Sequence, residues 1–323
     1  MKTKFRIIFS VFLFGFLTSF LILEISLFIY SYLCLGKAKV YEFDNQTGYN
    51  FKKMILSKKV ISGERISFIT DNFGLRVPSI KEQTRNSVFP DDNRTRVLVV
   101  GDSFAEGQTN VEYRFDYVMN NLSHDFYASA VGCGGFDTLQ QIKVSEPLLN
   151  NLRKDDYFIL LTCGNDFGDI LRKSIFGRSK PYLELKNGSL KITEANNNLL
   201  YRMRDISYTI GYALQFWDAL HMKFVFDEEE TRRSHDIYIT YISHVFNELS
   251  SRGIRPKIVF HSLNKTSLTD ELFSKVRSEN IDFFNLDNFL GNKQKYLLDD
   301  NFHWNVEGNK LVAQKILSFL END

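Results

Sequence analysis

Serine and histidine residues in this sequence lie in short polar motifs of a kind that supports nucleophilic catalysis. Ser103 lies within Gly101–Gly107 (GDSFAEG), so its hydroxyl is placed at a turn between small and polar residues. His303 follows Asp300 by three residues, a spacing that lets a carboxylate hold an imidazole. A serine activated by an imidazole that a carboxylate orients is a nucleophile for acyl transfer. Alone, the first motif is equally typical of an ordinary turn or a helix N-cap.

Two further motifs offer hydrogen-bond donors for a developing negative charge. Asn165 lies in a Gly-Asn-Asp sequence, where its side-chain amide could donate to an oxyanion, although an Asx turn is the commoner role of such a residue. A Gly-Cys-Gly-Gly run contains Gly134 and Gly135, and glycines let a backbone N–H group approach a ligand closely. The sequence leaves open which of the two glycines would donate.

The other chemistry-bearing residues give no case for a metal or a nucleotide cofactor. Three scattered cysteines are too few for a disulfide framework or a zinc site, and no CxxC, HExxH, GxxxxGKS or GxGxxG motif occurs. Forty basic and 39 acidic residues leave a formal charge of +1, which argues against nucleic acid as the main partner. His261 ends a predicted strand on the pocket side and is a secondary candidate for substrate contact.

The motifs follow the predicted strands of one α/β domain. The strands are short apolar runs, and helical stretches separate them, which predicts a parallel sheet with helices on both faces. The predicted strands cover residues 97–100, 126–131, 157–162, 257–261 and 281–286. The predicted helices cover about residues 111–122, 137–153, 234–252, 267–279 and 306–320.

A leader and an insertion interrupt this alternation. Residues 41–94 are polar and turn-rich, and we expect short strands and loops there, ahead of the main domain at 95–323. Residues 170–232 form an insertion after the third strand, and alternating residues around Asn187-Gly188 predict a β-hairpin within it. Pockets of α/β proteins form at the carboxyl ends of strands, so the insertion is expected to shape the pocket.

Residues 1–40 contain a long apolar segment. Between Ile7 and Leu35 the only charged residue is Glu24, and a helix of that length exceeds the roughly 30 Å hydrocarbon core of a bilayer. A signal-peptide core is about half as long, so an uncleaved transmembrane anchor is favoured over a cleaved signal sequence. The basic residues before the segment predict a single pass through the cytoplasmic (inner) membrane with an extracytoplasmic main domain. Glu24 either contacts a partner helix or is tolerated in so long an apolar segment.

Taken together, the four motifs resemble the SGNH/GDSL hydrolase family. Gly101-Asp102-Ser103 resembles its first block, Gly135 its second, Asn165 its third and Asp300-x-x-His303 its last. Their order and their placement after successive strands match the family over about residues 95–323. Two further segments, at residues 71–76 (DNFGLR) and 303–308 (HWNVEG), resemble the membrane-anchored bacterial members that act on cell-surface glycans or lipids.

The resemblance implies a flavodoxin-like three-layer α/β/α fold with a parallel five-stranded sheet in the order 2-1-3-4-5. It also implies that Ser103 is the nucleophile, that His303 is its general base and that Asp300 orients the imidazole. Asp299 is the alternative to Asp300. The oxyanion hole that the resemblance implies has three donors: the N–H groups of Ser103 and Gly135 and the side-chain amide of Asn165.

Three functions are compatible with these residues. The first is a membrane-anchored serine esterase that removes acyl groups from a glycan or a lipid without a cofactor. The second is an O-acyltransferase with the same triad, which takes an acyl group from a membrane donor protein and passes it to a sugar hydroxyl. The third is a binding or assembly module without activity, and the intact set of four motifs counts against it. The first two share an acyl-enzyme, so the sequence does not separate them.

Overall fold

The computed structural model of the chain describes residues 2–31, 40–61, 63–186, 189–221, 228–263, 267–290 and 293–323. The helices in this part of the chain are α1 (Lys2–Ile29), α2 (Ser103–Glu106), α3 (Phe115–Leu122), α4 (Thr138–Ser145), α5 (Asp166–Asp169), α6 (Leu199–Arg204), α7 (Tyr208–His221), α8 (Glu228–Ser251), α9 (Ser267–Ser278) and α10 (Val306–Glu321). The strands are β1 (Tyr41–Asp44), β2 (Gly48–Phe51), β3 (Leu56–Ile61), β4 (Glu64–Ile69), β5 (Thr95–Gly101), β6 (Phe126–Gly132), β7 (Tyr157–Cys163), β8 (Ser174–Ile175), β9 (Arg178–Ser179), β10 (Tyr182–Lys186), β11 (Ser189–Thr193), β12 (Arg255–His261) and β13 (Phe283–Asn285).

Five strands form one parallel sheet in the order β6-β5-β7-β12-β13. Numbered by their appearance in the main domain, these are strands 2-1-3-4-5, so the predicted flavodoxin-like order is confirmed. β7 is buried at every residue, as expected of a central parallel strand whose two faces are covered. Because β5 pairs with β6 on one side and β7 on the other, a crevice opens at the carboxyl ends of β5 and β7.

Helices cover both faces of this sheet. Alternate side chains of a strand point to opposite faces, and β5 shows this directly. Leu98 and Val100 belong to the core under α4 and α8, whereas Val97 and Val99 belong to the core under α3 and α10. The predicted three-layer α/β/α architecture is therefore confirmed.

Several element boundaries differ from the prediction for local reasons. The helix predicted at 137–153 divides into α4 and a 3₁₀ segment at Glu146–Asn151, because Pro147 has no N–H group and its ring disfavours a continuing α-helix. The fifth strand is shorter than the predicted 281–286. In the insertion, β10 and β11 pair as the predicted antiparallel hairpin, and its turn residues Asn187 and Gly188 lie outside the described residues. Helices α6 and α7 of the insertion were not predicted.

The leader folds onto the main domain as two antiparallel hairpins, β1–β2 and β3–β4. Tyr49, Phe51 and Phe68 of these hairpins pack in one buried cluster with Cys133 and Phe136 of the main domain. Apolar burial of this kind contributes about 25 cal/mol for each Å² removed from water. The leader therefore forms one wall of the molecule at the carboxyl edge of the sheet.

Helix α1 is apolar along almost its whole length. Its segment Arg6–Ile29 has a mean hydropathy of 2.3 and none of it is buried, so by length and composition the helix fits a membrane anchor or a signal sequence. Glu24 does contact a helix, and the helix belongs to this same chain. Its carboxylate accepts hydrogen bonds from the Ser207 hydroxyl at 2.9 Å and from the N–H groups of Tyr208 and Thr209 at 2.5 and 2.9 Å. Glu24 thereby caps the N-terminus of α7.

Candidate active site

Ser103 lies at the carboxyl edge of the sheet because β5 ends at Gly101 and turns sharply into α2. The Asp102 carboxylate accepts a hydrogen bond from the Phe104 N–H at 3.0 Å and so caps this turn. A Cβ atom at Gly132 of β6 would lie 2.6 Å from the Ala105 Cβ and 2.6 Å from the Asp102 carbonyl oxygen. A residue without a side chain at position 132 is therefore required for the serine turn to pack against the neighbouring strand.

The structure brings Ser103, His303 and Asp300 together in one hydrogen-bonded chain. His303 Nε2 lies 2.8 Å from Ser103 Oγ, and His303 Nδ1 lies 2.5 Å from Asp300 Oδ2. A carboxylate at Nδ1 keeps a proton on that nitrogen, which leaves Nε2 as the acceptor for the serine hydroxyl. This arrangement can activate Ser103 as a nucleophile.

Asp300 is held by its own loop. Its Oδ1 atom accepts hydrogen bonds from the N–H groups of Phe302 and His303, each at 2.9 Å. Burial acts to raise the pKa of Asp300, but these bonds and the bond from the His303 ring outweigh it, so the pKa lies below its ordinary value. Asp300 is therefore ionised at neutral pH and can stabilise a positive charge on His303. The carboxylate bonded to the His303 ring in the described residues is thus Asp300 and not the alternative, Asp299.

Asn165 follows β7 on the other side of the crevice. Its Nδ2 atom donates to Asp169 Oδ2 at 3.0 Å, and its Oδ1 atom accepts from the Cys163 thiol. Because a carboxylate can only accept, the contact with Asp169 decides which end of the amide is the donor. Asp169 uses one Nδ2 hydrogen, and within the described residues the other has no acceptor and is available to a ligand. Asp169 is in turn paired with Arg172 at 2.8 Å.

The backbone hydrogen bonds of Gly134 and Gly135 indicate which of the two N–H groups can donate to a ligand. The Gly134 N–H donates to Glu106 Oε2 at 2.8 Å, and the Gly134 carbonyl accepts from the Tyr49 hydroxyl at 3.1 Å. Both backbone groups of Gly134 are thus engaged. Gly135 has a φ of +78°, a conformation that favours glycine, and its N–H makes no hydrogen bond to the described residues. The geometry therefore favours Gly135 as the backbone donor to a ligand.

A cavity of about 570 Å³ unites these groups. Ser103, Gly135, Asn165 and His303 all line it. A carbonyl group bound there can meet the serine hydroxyl and several hydrogen-bond donors at once, which is the requirement for stabilising a tetrahedral oxyanion. Asp300 of the predicted triad lies outside the lining and contacts His303 from behind.

Below the serine, Asp102 and Cys163 form a buried pair. Burial raises the pKa of Asp102 to about 6, although the Phe104 N–H and the Cys163 thiol act in the opposite direction. Burial also raises the pKa of the Cys163 thiol, which therefore stays neutral, and its sulfur lies 3.3 Å from Asp102 Oδ2. Cys133 is likewise a buried free thiol, and Cys34 lies outside the described residues.

His261 does not line the active-site cavity. It is fully buried, with its ring 4.1 Å from that of Phe104 and 5.0 Å from that of Trp304. This removes His261 as a secondary candidate for substrate contact, because these two aromatic rings cover the end of β12. The ligand atoms of Asp102, Cys163 and His261 lie within 4.8 Å of one another. We assign no metal to them, because the thiol is neutral and already in contact with Asp102 and Asn165.

Four residues of the site were not predicted from the sequence. Glu106 is fully buried and pairs with Lys59 of the leader at 2.7 Å while it holds the Gly134 N–H. Arg76 of the leader donates to the carbonyl groups of Glu106 and Thr109, each at 3.0 Å, and so holds the loop after α2. Asp169 orients Asn165. Only Asp169 left a local signal, since it follows Asn165 by one helical turn.

Comparisons with known proteins found structural neighbours of low similarity and no match in sequence. No protein-family model matches the chain, and no curated protein matches it in sequence. Similar solved structures include a protein described as lipolytic, of the G-D-S-L family, from Desulfitobacterium hafniense, at 15% identity over 70% of this chain and 99% of its own, with a TM-score of 0.41. A GDSL-like lipase from Bacteroides uniformis is 12% identical over 71% and 97% of the two chains (TM-score 0.38). A G-D-S-L family protein from Veillonella parvula is 13% identical over 69% and 97% (TM-score 0.37).

Proposed function

We propose that this chain is a serine hydrolase of the SGNH/GDSL type that cleaves acyl esters through an acyl-enzyme on Ser103. The observation that carries the proposal is the hydrogen-bonded chain from Ser103 through His303 to Asp300, with distances of 2.8 and 2.5 Å. A turn residue and a surface histidine would not need this alignment, which joins residues 200 positions apart.

The reaction follows from the positions of these groups. His303 Nε2 takes the proton of Ser103 as Oγ attacks the ester carbonyl carbon, and the Asp300 carboxylate stabilises the imidazolium that forms. The carbonyl oxygen becomes an oxyanion and is bound by the N–H groups of Ser103 and Gly135 and by the Asn165 amide. The tetrahedral intermediate then collapses, and His303 gives its proton to the leaving alcohol. Water, activated in the same way, releases the acid and restores the serine.

The N-terminal helix gives the proposal its cellular setting. We place α1 across the cytoplasmic membrane and the main domain outside the cytoplasm, since the basic residues of the chain's first turns precede the apolar segment. The substrates proposed for this setting are acyl esters of cell-surface glycans or lipids. The same acyl-enzyme would also serve transfer to a sugar hydroxyl.

Labelling and turnover by the purified full chain test the proposal. Ser103→Ala should abolish labelling by a fluorophosphonate probe and hydrolysis of p-nitrophenyl acetate, whereas Ser243→Ala, on α8 away from the cavity, should change neither. Full labelling of the Ser103→Ala chain would overturn the assignment of the nucleophile. Product analysis in the presence of a free oligosaccharide separates the two reactions, since hydrolysis yields acetate and transfer yields an acylated sugar.

A further inference from the structure

A second cavity adjoins the active site on the side of helix α1. It has a volume of about 290 Å³ and lies between the end of the N-terminal helical segment, the leader and the insertion. Four residues line both cavities: Tyr41, Lys59, Phe176 and Arg178. A ligand can therefore extend from this second cavity, which we call the anchor-side cavity, to Ser103.

Two arginines with one carboxylate between them line the anchor-side cavity. Arg178 and Arg204 lie 3.4 and 3.0 Å from the same oxygen of Asp205, and their side chains are only 13% and 10% exposed. The Nε atom of each is buried and, within the described part of the chain, has no hydrogen-bond partner. Burial and the nearby charge of Arg178 lower the pKa of Arg204 to about 10. One carboxylate leaves an excess positive charge on the two guanidinium groups, and an anion in this cavity would balance it.

The wall of the anchor-side cavity next to α1 is continuous with apolar surface. Ser31 lies 3.3 Å from the Tyr212 hydroxyl, and Phe28 packs edge-on against Tyr208. Glu24, which caps α7, lies seven residues before Ser31, or about 10 Å along a helix. The first turn of α7 therefore lies alongside the apolar part of α1, not beyond its end.

The outer face of α7 carries large apolar side chains that are exposed at the surface. Phe216, Trp217 and Leu220 are 66%, 62% and 63% exposed. Exposed apolar and aromatic residues beside a helix of membrane-like hydropathy are typical of a surface in contact with lipid. The same element thus presents apolar side chains outward and lines the anchor-side cavity with Gly211, Tyr212 and Gln215.

We propose that the anchor-side cavity binds the phosphate group of an anionic membrane lipid, which Arg178 and Arg204 contact, and that an acyl ester of this lipid reaches Ser103. Guanidinium groups match phosphate in both charge and geometry. In a glycerophospholipid only a short three-carbon backbone separates the phosphate from the ester. This short separation matches two adjoining cavities that share four lining residues. The inference rests on the proposed ester hydrolysis and names the substrate class for that site.

Lipid binding to the full chain in detergent tests this inference without turnover. In the Ser103→Ala background, native mass spectrometry should show phosphatidylglycerol bound at least about tenfold more tightly than uncharged diacylglycerol. Adding Arg178→Gln and Arg204→Gln together should remove this preference. Arg202→Gln is the matched control, because Arg202 lies on the exposed side of α6 and bonds to Asn197. Arg204→Lys keeps the positive charge and should keep most of the preference, even if the double variant loses stability.

Three other outcomes would overturn, in turn, the anion site, the assignment to a lipid and the proposed function. Equal binding of phosphatidylglycerol and diacylglycerol, or an unchanged preference in the folded double variant, would overturn the anion site. Glycerol phosphate bound as tightly as phosphatidylglycerol would overturn the assignment to a lipid and point to a water-soluble phosphate ester. Absence of p-nitrophenyl acetate hydrolysis by the parent chain would overturn the proposed function, while selective lipid binding would still support the site.

Discussion

Asn165 and Asp169 are joined by a hydrogen bond of 3.0 Å from the side-chain amide to a carboxylate oxygen. The bond spans the single turn of α5, and Asp169 is fixed at its other oxygen by Arg172. An oxyanion donor is most effective when its orientation is set before the charge develops. Asp169 is thus the positioning residue for the amide that faces Ser103 across the crevice.

Replacing Asn165 tests whether this amide stabilises the oxyanion. Asn165→Ala should lower kcat by about 10²–10³, with little change in KM, because the bond strengthens only as negative charge develops on the carbonyl oxygen. Kinetics on p-nitrophenyl acetate and a thermal melt measure both effects. A destabilised variant with normal kcat would mean that Asn165 only shapes the loop.

Replacing Asp300 tests its effect on the imidazole. Asp300→Asn should lower kcat by up to about 10⁴, because an amide at Nδ1 no longer holds the required tautomer or stabilises the imidazolium. Asp299→Asn, one residue earlier and exposed, is the matched control and should keep the parent kcat. If the two variants lost activity equally, the orienting role would not belong to Asp300.

Stability should depend on pH through the buried carboxyl of Asp102. Its pKa is raised to about 6 by burial, so the folded chain binds this proton more tightly than the unfolded chain does. The contribution to the free energy of unfolding is therefore present below about pH 4 and is lost as the pH rises to about 6, at roughly 1.4 kcal/mol for each pKa unit.

Asp102→Asn should remove this pH-dependent loss of the free energy of unfolding. Urea unfolding at pH 4 and pH 7 should show the variant gaining on the parent by a few kcal/mol at the higher pH. Asp91→Asn, at an exposed position, should follow the parent at both values. The same difference between Asp102→Asn and the parent at both pH values would show that the carboxyl titrates alike in the folded and unfolded chains.

Glu24 should stabilise the insertion by capping α7. Glu24→Ala removes acceptors for two backbone N–H groups and should cost about 0.5–2 kcal/mol, seen as a lower Tm of the full chain in detergent. Thr18→Ala is the control on the same helix, since that hydroxyl donates to the Phe14 carbonyl of its own helix. Glu24→Gln keeps one acceptor oxygen and should lie between the two. An unchanged Tm for Glu24→Ala would contradict the cap.

The parts of the site that the sequence predicted are those whose chemistry is local. Ser103 lies two residues after a β-branched strand, and Asp300 and His303 share one loop, so short motifs identify them. The strand order was predictable because the motifs follow successive strands of a known arrangement. The motifs depend on residues that are close in the sequence, and the strand order depends on a pattern that repeats along the chain.

The parts that the sequence did not predict depend on the approach of distant segments. Lys59 and Glu106 are 47 residues apart, and Arg178 reaches the cavity from an insertion whose helices carry no motif. His261 shows the reverse case, since its place at a strand end indicated exposure, whereas the rings of Phe104 and Trp304 bury it. Local periodicity does not encode such packing.

The contacts of the leader decide how the protein can be divided for study in solution. A fragment that starts at Thr95 would contain every catalytic residue, yet it would uncover Cys133 and Phe136 and leave the buried Glu106 without Lys59. An unpaired buried charge destabilises a fold far more than a lost surface contact does. A fragment for study in solution should therefore keep the leader from Val40, whose side chain belongs to the same buried cluster, and it would lack the Glu24 carboxylate that caps α7.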